Sequence, residues 1–89
     1  MAGREIKEGA LYRHYKGGLY RVVRIAYNTG GKPLKTLNDV DDSIKSVVYE
    51  PVEPHPSLGQ VTWVRPYQMF NEKIVIDEVE QYRFIECEQ

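Results

Sequence analysis

The chain is predicted to be all-β: a small barrel of five or six short strands with one short helical turn. Three observations predict it. Short runs rich in Val, Ile and Tyr recur along the sequence, the composition of strands on a half-buried pleated surface. Clusters of Gly, Pro, Asn and Asp separate those runs and supply the turns. Two segments, Tyr12-Arg-His-Tyr-Lys-Gly-Gly-Leu-Tyr-Arg-Val-Val23 and Thr62-Trp-Val-Arg-Pro-Tyr-Gln-Met-Phe70, each crowd aromatics, a cation and a turn former into about ten residues. Together they hold the single Trp and five of the nine Tyr and Phe residues.

Residues 1–9 read as a polar lead-in ending at Gly9, and residues 10–86 as a single small domain. Residues 10–15 are strand-like. Lys16-Gly17-Gly18 then makes a tight turn, because glycine reaches positive φ without steric cost. Residues 19–27 resume as a strand and complete a hairpin. In strict alternation Arg21 and Arg24 fall on opposite faces, and a β-bulge near Val22–Val23 would return both to one side. Residues 28–46 read as a polar loop insertion, with Gly30-Gly31 and Pro33 as breakers.

Residues 46–52 read as a strand limited by Pro51, and 53–59 as a stiff loop with three turn formers. Another strand is expected over 60–65. Pro66 fixes φ for a short helical turn through Phe70, which would carry Met69 and Phe70 back into the core. Residues 73–77 and 79–86 complete the count, around a tight turn at Asp77-Glu78. Closing such a sheet removes edges that would otherwise recruit other chains.

Composition sets bounds on function. At 89 residues, 42% apolar and 28% charged, the chain has the make-up of a soluble globule with a modest core. No apolar run approaches the ~18 residues of a membrane span, so no membrane partner is expected. The N-terminus lacks an apolar signal region, and Cys87 has no second cysteine to pair with. Both point to a cytoplasmic location.

The net charge of −1 hides an asymmetry. Residues 1–37 carry eight basic and two acidic side chains, a sum of +6; residues 38–89 carry four basic and eleven acidic, a sum of −7. Such a split either marks a basic binding edge or lets the two halves neutralise each other within one sheet.

Chemical motifs are sparse. Asp39, Asp41 and Asp42 imitate part of a calcium loop, but the loop glycine and distal glutamate are missing, so no metal or other cofactor is expected. Ser43, Ser46 and Ser57 lack a glycine-flanked nucleophile turn. His14 reads as a hydrogen-bonded histidine beside the turn, with an acid–base pair with Glu50 as the rival role. His55, between prolines, reads as solvated. Trp63 and Arg65 share a strand face, with Tyr67 just beyond. Either they stack a ligand, or Trp63 is core and Arg65 pairs with an acid such as Glu50.

Beyond these readings, Tyr12-Arg-His-Tyr-Lys-Gly-Gly-Leu-Tyr-Arg-Val22, Val48-Tyr-Glu50 and Trp63-Val-Arg-Pro-Tyr-Gln-Met-Phe70 resemble the bacterial domain-of-unknown-function family 1653. The resemblance covers roughly residues 9–76 and implies an SH3-like barrel. This chain departs from it between Tyr27 and Val47, which is longer and more polar than in members. The resemblance implies no activity, since the family has none established.

The function expected from the residues is a noncatalytic binding module. His14, Tyr15, Tyr49, Trp63, Arg65 and Tyr67 would form an aromatic and basic face for a peptide, a small molecule or a protein. Nucleic-acid binding through Arg13, Lys16, Arg21 and Arg24 is the alternative, against which stands a sequence pI near 6.1. A structural or assembly subunit is a further one.

Overall fold

A computed structural model describes residues 4–31, 34–36 and 40–87. Parts of the 28–46 insertion, including Asp39, lie outside the described residues. Among the described residues seven strands and one helix run in the order β1 (Leu11–His14), β2 (Leu19–Tyr27), β3 (Lys45–Pro51), β4 (Trp63–Pro66), α1 (Tyr67–Phe70), β5 (Lys73–Ile76), β6 (Val79–Tyr82) and β7 (Phe84–Cys87). Five of the strands form one sheet in the order β4-β3-β2-β1-β7, every pairing antiparallel, and β5-β6 form a separate hairpin. The large sheet curls into a half-barrel whose edge strands, β4 and β7, are not hydrogen-bonded to each other. The all-β expectation holds. No helix among the described residues is long and apolar enough to cross a membrane.

The long strand β2 gives the sheet its bend. Its register against β3 shifts between Val22 and Arg24, so Val23 is the extra residue of a bulge at the expected place. The bulge lets Val22, fully buried, face inward opposite Tyr49, while Arg21 and Arg24 stand opposite Glu50 and Val48 on the convex side. Without the extra residue one of the two arginines would point into the core, at the cost of burying a charge.

The β1–β2 turn uses both glycines at positive φ, 97° at Gly17 and 92° at Gly18. Gly18 has a second reason to be glycine. A Cβ there would sit 3.3 Å from the Tyr20 ring, closer than side chains ordinarily pack.

Among the described residues eight form the buried core: Ile6, Tyr12, Val22, Val47, Tyr49, Tyr67, Phe70 and Phe84. Aromatics fill it edge to face, apart from Phe70 and Phe84, which stack at 4.1 Å with planes 7° apart. The segment read as a polar lead-in joins this core through Ile6. The buried Ile6 N–H donates to the Tyr67 hydroxyl at 2.9 Å, and the Lys7 N–H donates to the Tyr12 hydroxyl at 3.1 Å. Tyrosine fits these two sites because its ring fills the core while its hydroxyl satisfies a backbone donor. Arg4 adds a clasp: its guanidinium lies 3.9 Å from the Tyr82 ring centroid and donates to Asn71 and to the Phe84 carbonyl.

Three expectations are corrected. Met69 is half exposed rather than core, because the three-residue spacing from Tyr67 to Phe70 turns those two inward and leaves Gln68 and Met69 outside. Pro66 ends β4 with φ −52° and ψ 140° and stands just before the helix rather than as its first residue. The strand expected over 79–86 is two strands in two sheets. Arg83 turns the chain between them, its N–H donating to the Glu72 carbonyl and its carbonyl accepting from the Tyr15 N–H, both at 2.9 Å.

The expected Asp77-Glu78 turn joins β5 to β6, with Ile76 paired to Val79. Both turn residues have positive φ, 52° and 68°, the backbone of a two-residue hairpin that favours Asn-Gly or Asp-Gly. Glu78→Gly is therefore expected to raise unfolding free energy by about 0.5–1 kcal/mol, the relieved left-handed strain exceeding the added chain entropy. Urea denaturation would check it; a loss of stability would show that the turn is not strained.

Candidate functional site

The concave side of the half-barrel holds a hollow of about 360 Å³ lined by His14, Tyr20, Tyr49, Pro51, His55, Trp63, Arg65 and Phe84. Every strand of the five-stranded sheet contributes to it. Register explains the convergence, because directly opposed residues share a face. Tyr49 opposes Trp63, Tyr20 opposes Pro51, and His14 opposes Phe84. A second hollow of about 400 Å³ adjoins it and shares Tyr20, Pro51 and His55.

Four of the six side chains predicted from sequence meet here: His14, Tyr49, Trp63 and Arg65. Tyr15 lies outside, tilted against the outer side of this group with its ring 4.7 Å from that of His14. Tyr67 is buried elsewhere, its hydroxyl taken by Ile6. Sequence reasoning missed Tyr20, Pro51, His55 and Phe84. Tyr20 was legible, since it stands two residues after the Gly-Gly turn on the face of Val22. Phe84 was not, because its position depends on the chain break at Arg83.

Trp63 is half-buried, packing partly on the core and partly open to the hollow. Arg65 is also half-buried and its guanidinium lies 5.3 Å from the Phe84 ring centroid. Its Nε donates to the Tyr49 hydroxyl at 3.3 Å. The expected pairing with Glu50 does not occur: Glu50 opposes Arg21 on the convex side. Among the described residues no carboxylate lies within ion-pair distance of Arg65, and none lines the hollow.

Both histidines are fixed by backbone donors. His14 Nδ1 accepts from the Lys16 N–H at 3.2 Å, as expected for a histidine beside a turn, and its ring meets Phe84 edge-on at 4.9 Å. His55 is half-buried rather than solvated. Its Nδ1 accepts from Ser57 and Leu58 at 3.0 and 3.1 Å, and its ring stands 6.4 Å from Trp63. An imidazole that accepts at Nδ1 carries its hydrogen at Nε2, so each ring keeps one donor in hand. The pairing of His14 with Glu50 as acid and base is not formed, since the two residues lie on opposite faces of the sheet.

Arg13, Arg21 and Arg24 project from the convex face, and Lys16 sits in the β1–β2 turn. The three arginines of the nucleic-acid reading are thus separated by the sheet from the aromatics Tyr20, Tyr49 and Trp63, and Lys16 stands at the turn beside His14. Of the aspartates of the calcium-loop reading, Asp41 and Asp42 are described, and each has a local partner. Asp41 accepts from the Ser43 N–H and hydroxyl, which lower its carboxyl below the usual value, and Asp42 pairs with Lys45 at 3.2 Å. Among the described residues no three His, Cys, Asp or Glu side chains cluster as a metal ligand set.

Burial, then the charges of Arg65, Arg83 and Lys16, push the His14 imidazole below its ordinary pKa. The unfolded chain therefore binds a proton more readily than the folded one between the lowered value and the ordinary value near 6.5. Stability contributed by His14 is full above the ordinary histidine range and falls as pH drops through it. His14→Gln should flatten that part of the stability–pH curve, and an NMR titration should place His14 below a model histidine. A raised His14 pKa would contradict the electropositive character of the hollow.

Residues 10–86 match the family described as Protein of unknown function (DUF1653). No curated protein and no solved structure matches the chain. The matched span runs from the strand before the Gly-Gly turn to the last strand of the sheet, so it contains all eight residues that line the hollow. The chain belongs to the DUF1653 family.

Proposed function

We propose that the protein is a noncatalytic binding module that takes a peptide or a small ligand in the concave aromatic hollow. The observation that carries this reading is the convergence of at least one side chain from every strand of the main sheet on one open hollow. Core packing alone does not call for it: Trp63 and Arg65 keep exposed surface on the inner side of the sheet, where an ordinary barrel would seal them. Aromatic walls supply apolar contact, and the guanidinium and imidazoles supply orientation. The missing acid partners weigh against acid–base catalysis by the residues present.

A ¹H–¹⁵N spectrum titrated with small aromatic compounds, short peptides and oligonucleotides, at low and at raised salt, tests the reading. Compounds or peptides should shift the Trp63 indole, His14 and Tyr20 and leave Arg13 and Arg24 unmoved. Trp63→Ala should weaken that binding by about tenfold, the loss of one aromatic wall. Oligonucleotide shifts confined to Arg13, Lys16, Arg21 and Arg24 that vanish with salt would replace this reading with nucleic-acid binding.

A further inference from the structure

We infer that the occupant of the hollow is a singly charged aromatic carboxylate, its carboxylate on Arg65 and His14 and its ring against Trp63. The inference rests on the binding-module reading and assigns the ligand's chemistry.

Charge complementarity carries it. Among the described residues the lining contains one arginine, two histidines and no acid. Arg65 has no carboxylate within ion-pair distance among the described residues, and Tyr49 occupies only its Nε. The terminal nitrogens, which form the fork that matches a carboxylate, remain available. A half-buried guanidinium without an acid is an incomplete pair, and an anion would complete it.

The number of charges sets the class. Lys16 N–H holds His14 Nδ1 as an acceptor, and Ser57 and Leu58 do the same for His55. Each ring then has Nε2–H left as its donor, and among the described residues Arg65 is the one arginine or lysine in the lining. One guanidinium with imidazole donors suits a carboxylate better than a phosphate dianion. The remaining walls, Tyr20, Tyr49, Trp63, Phe84 and Pro51, are flat and apolar and offer ring faces and edges to a planar group. Such a carboxylate is carried by a free aryl acid and by a peptide that ends in an aromatic residue. The adjoining hollow past Tyr20, Pro51 and His55 leaves room for the chain of the second source.

The test is a ¹H–¹⁵N titration that includes arginine Nε–H signals. The probes are phenylacetate, phenylacetamide and the tripeptide acetyl-Gly-Gly-Phe as free acid and as C-terminal amide. The expected result is a shift of the Arg65 Nε–H and Trp63 indole by one or both acids, with the matching amide at least about tenfold weaker. Tighter binding of phenylacetate would identify a free acid as the source, and tighter binding of the tripeptide acid a chain end. Arg65→Met should remove the preference for acid over amide, Arg65→Lys should retain part of it, and Arg24→Met on the convex face should leave it intact. A well-dispersed spectrum and thermal unfolding of each variant show that it folds. Equal binding of acid and amide at the hollow would overturn the inference and leave the binding-module reading standing. Absence of shifts at the hollow with all four probes would overturn the inference too, and the broader compound and peptide titration would then decide the module reading by itself.

Discussion

The half-barrel depends on the side chain of Phe84. Strands β4 and β7 are the two edges of the curled sheet and share no backbone hydrogen bonds. Phe84, on β7, reaches across to β4 and to α1, the helix that continues it. Its ring stacks on Phe70 at 4.1 Å and lies 5.3 Å under the Arg65 guanidinium. It also meets His14, Tyr20 and Tyr49 edge-on. Side chains thus close the barrel where backbone does not. Each aromatic contact of this kind is worth about 0.5–1.5 kcal/mol beyond the area it buries. Several contacts on one ring tie the edges together without sealing the interior.

The open closure makes the hollow. A backbone-paired seam between β4 and β7 would draw Trp63 and Arg65 against β7 and fill the space before them. With the seam made of rings, the inner ends of five strands face one concavity. The same arrangement leaves Arg65 resting on the Phe84 ring and a tyrosine hydroxyl instead of a carboxylate. Acids that could have paired with it stand elsewhere. Glu50 opposes Arg21 on the convex side, and Glu72 pairs with Arg83 at 2.9 Å. Between the two halves of the sequence Lys7 pairs with Glu86 at 3.8 Å and Arg21 stands opposite Glu50, while Arg65, a cation of the acidic half, has no acid within ion-pair distance among the described residues.

Local chemistry made much of the fold legible. The Gly-Gly hairpin, the bulge at Val22–Val23, the Asp77-Glu78 turn and the helix after Pro66 all arise from residues a few positions apart. Four of the six expected site residues meet because they are inward-facing on strands. Tyr67 was misplaced because the short helix turns it away from the face Arg65 occupies, and helical phase over four residues cannot be read from composition. Phe84 and Ile6 were illegible for a different reason. Phe84 depends on a chain break at Arg83 held by Glu72 and Tyr15, both distant in sequence. Ile6 sits in a charged segment whose anchoring needs the hydroxyls of Tyr12 and Tyr67. Long-range backbone partners leave no periodic trace.

The most direct test is a double-mutant cycle in urea between Phe70→Leu and Phe84→Leu. Leucine keeps each site apolar and removes the ring, so the coupling energy isolates the stack that joins the two edges. A coupling of about 0.5–1.5 kcal/mol is expected for a stacked pair at this distance. Additive losses, with no coupling, would contradict closure by the Phe70–Phe84 contact and the open hollow that depends on it.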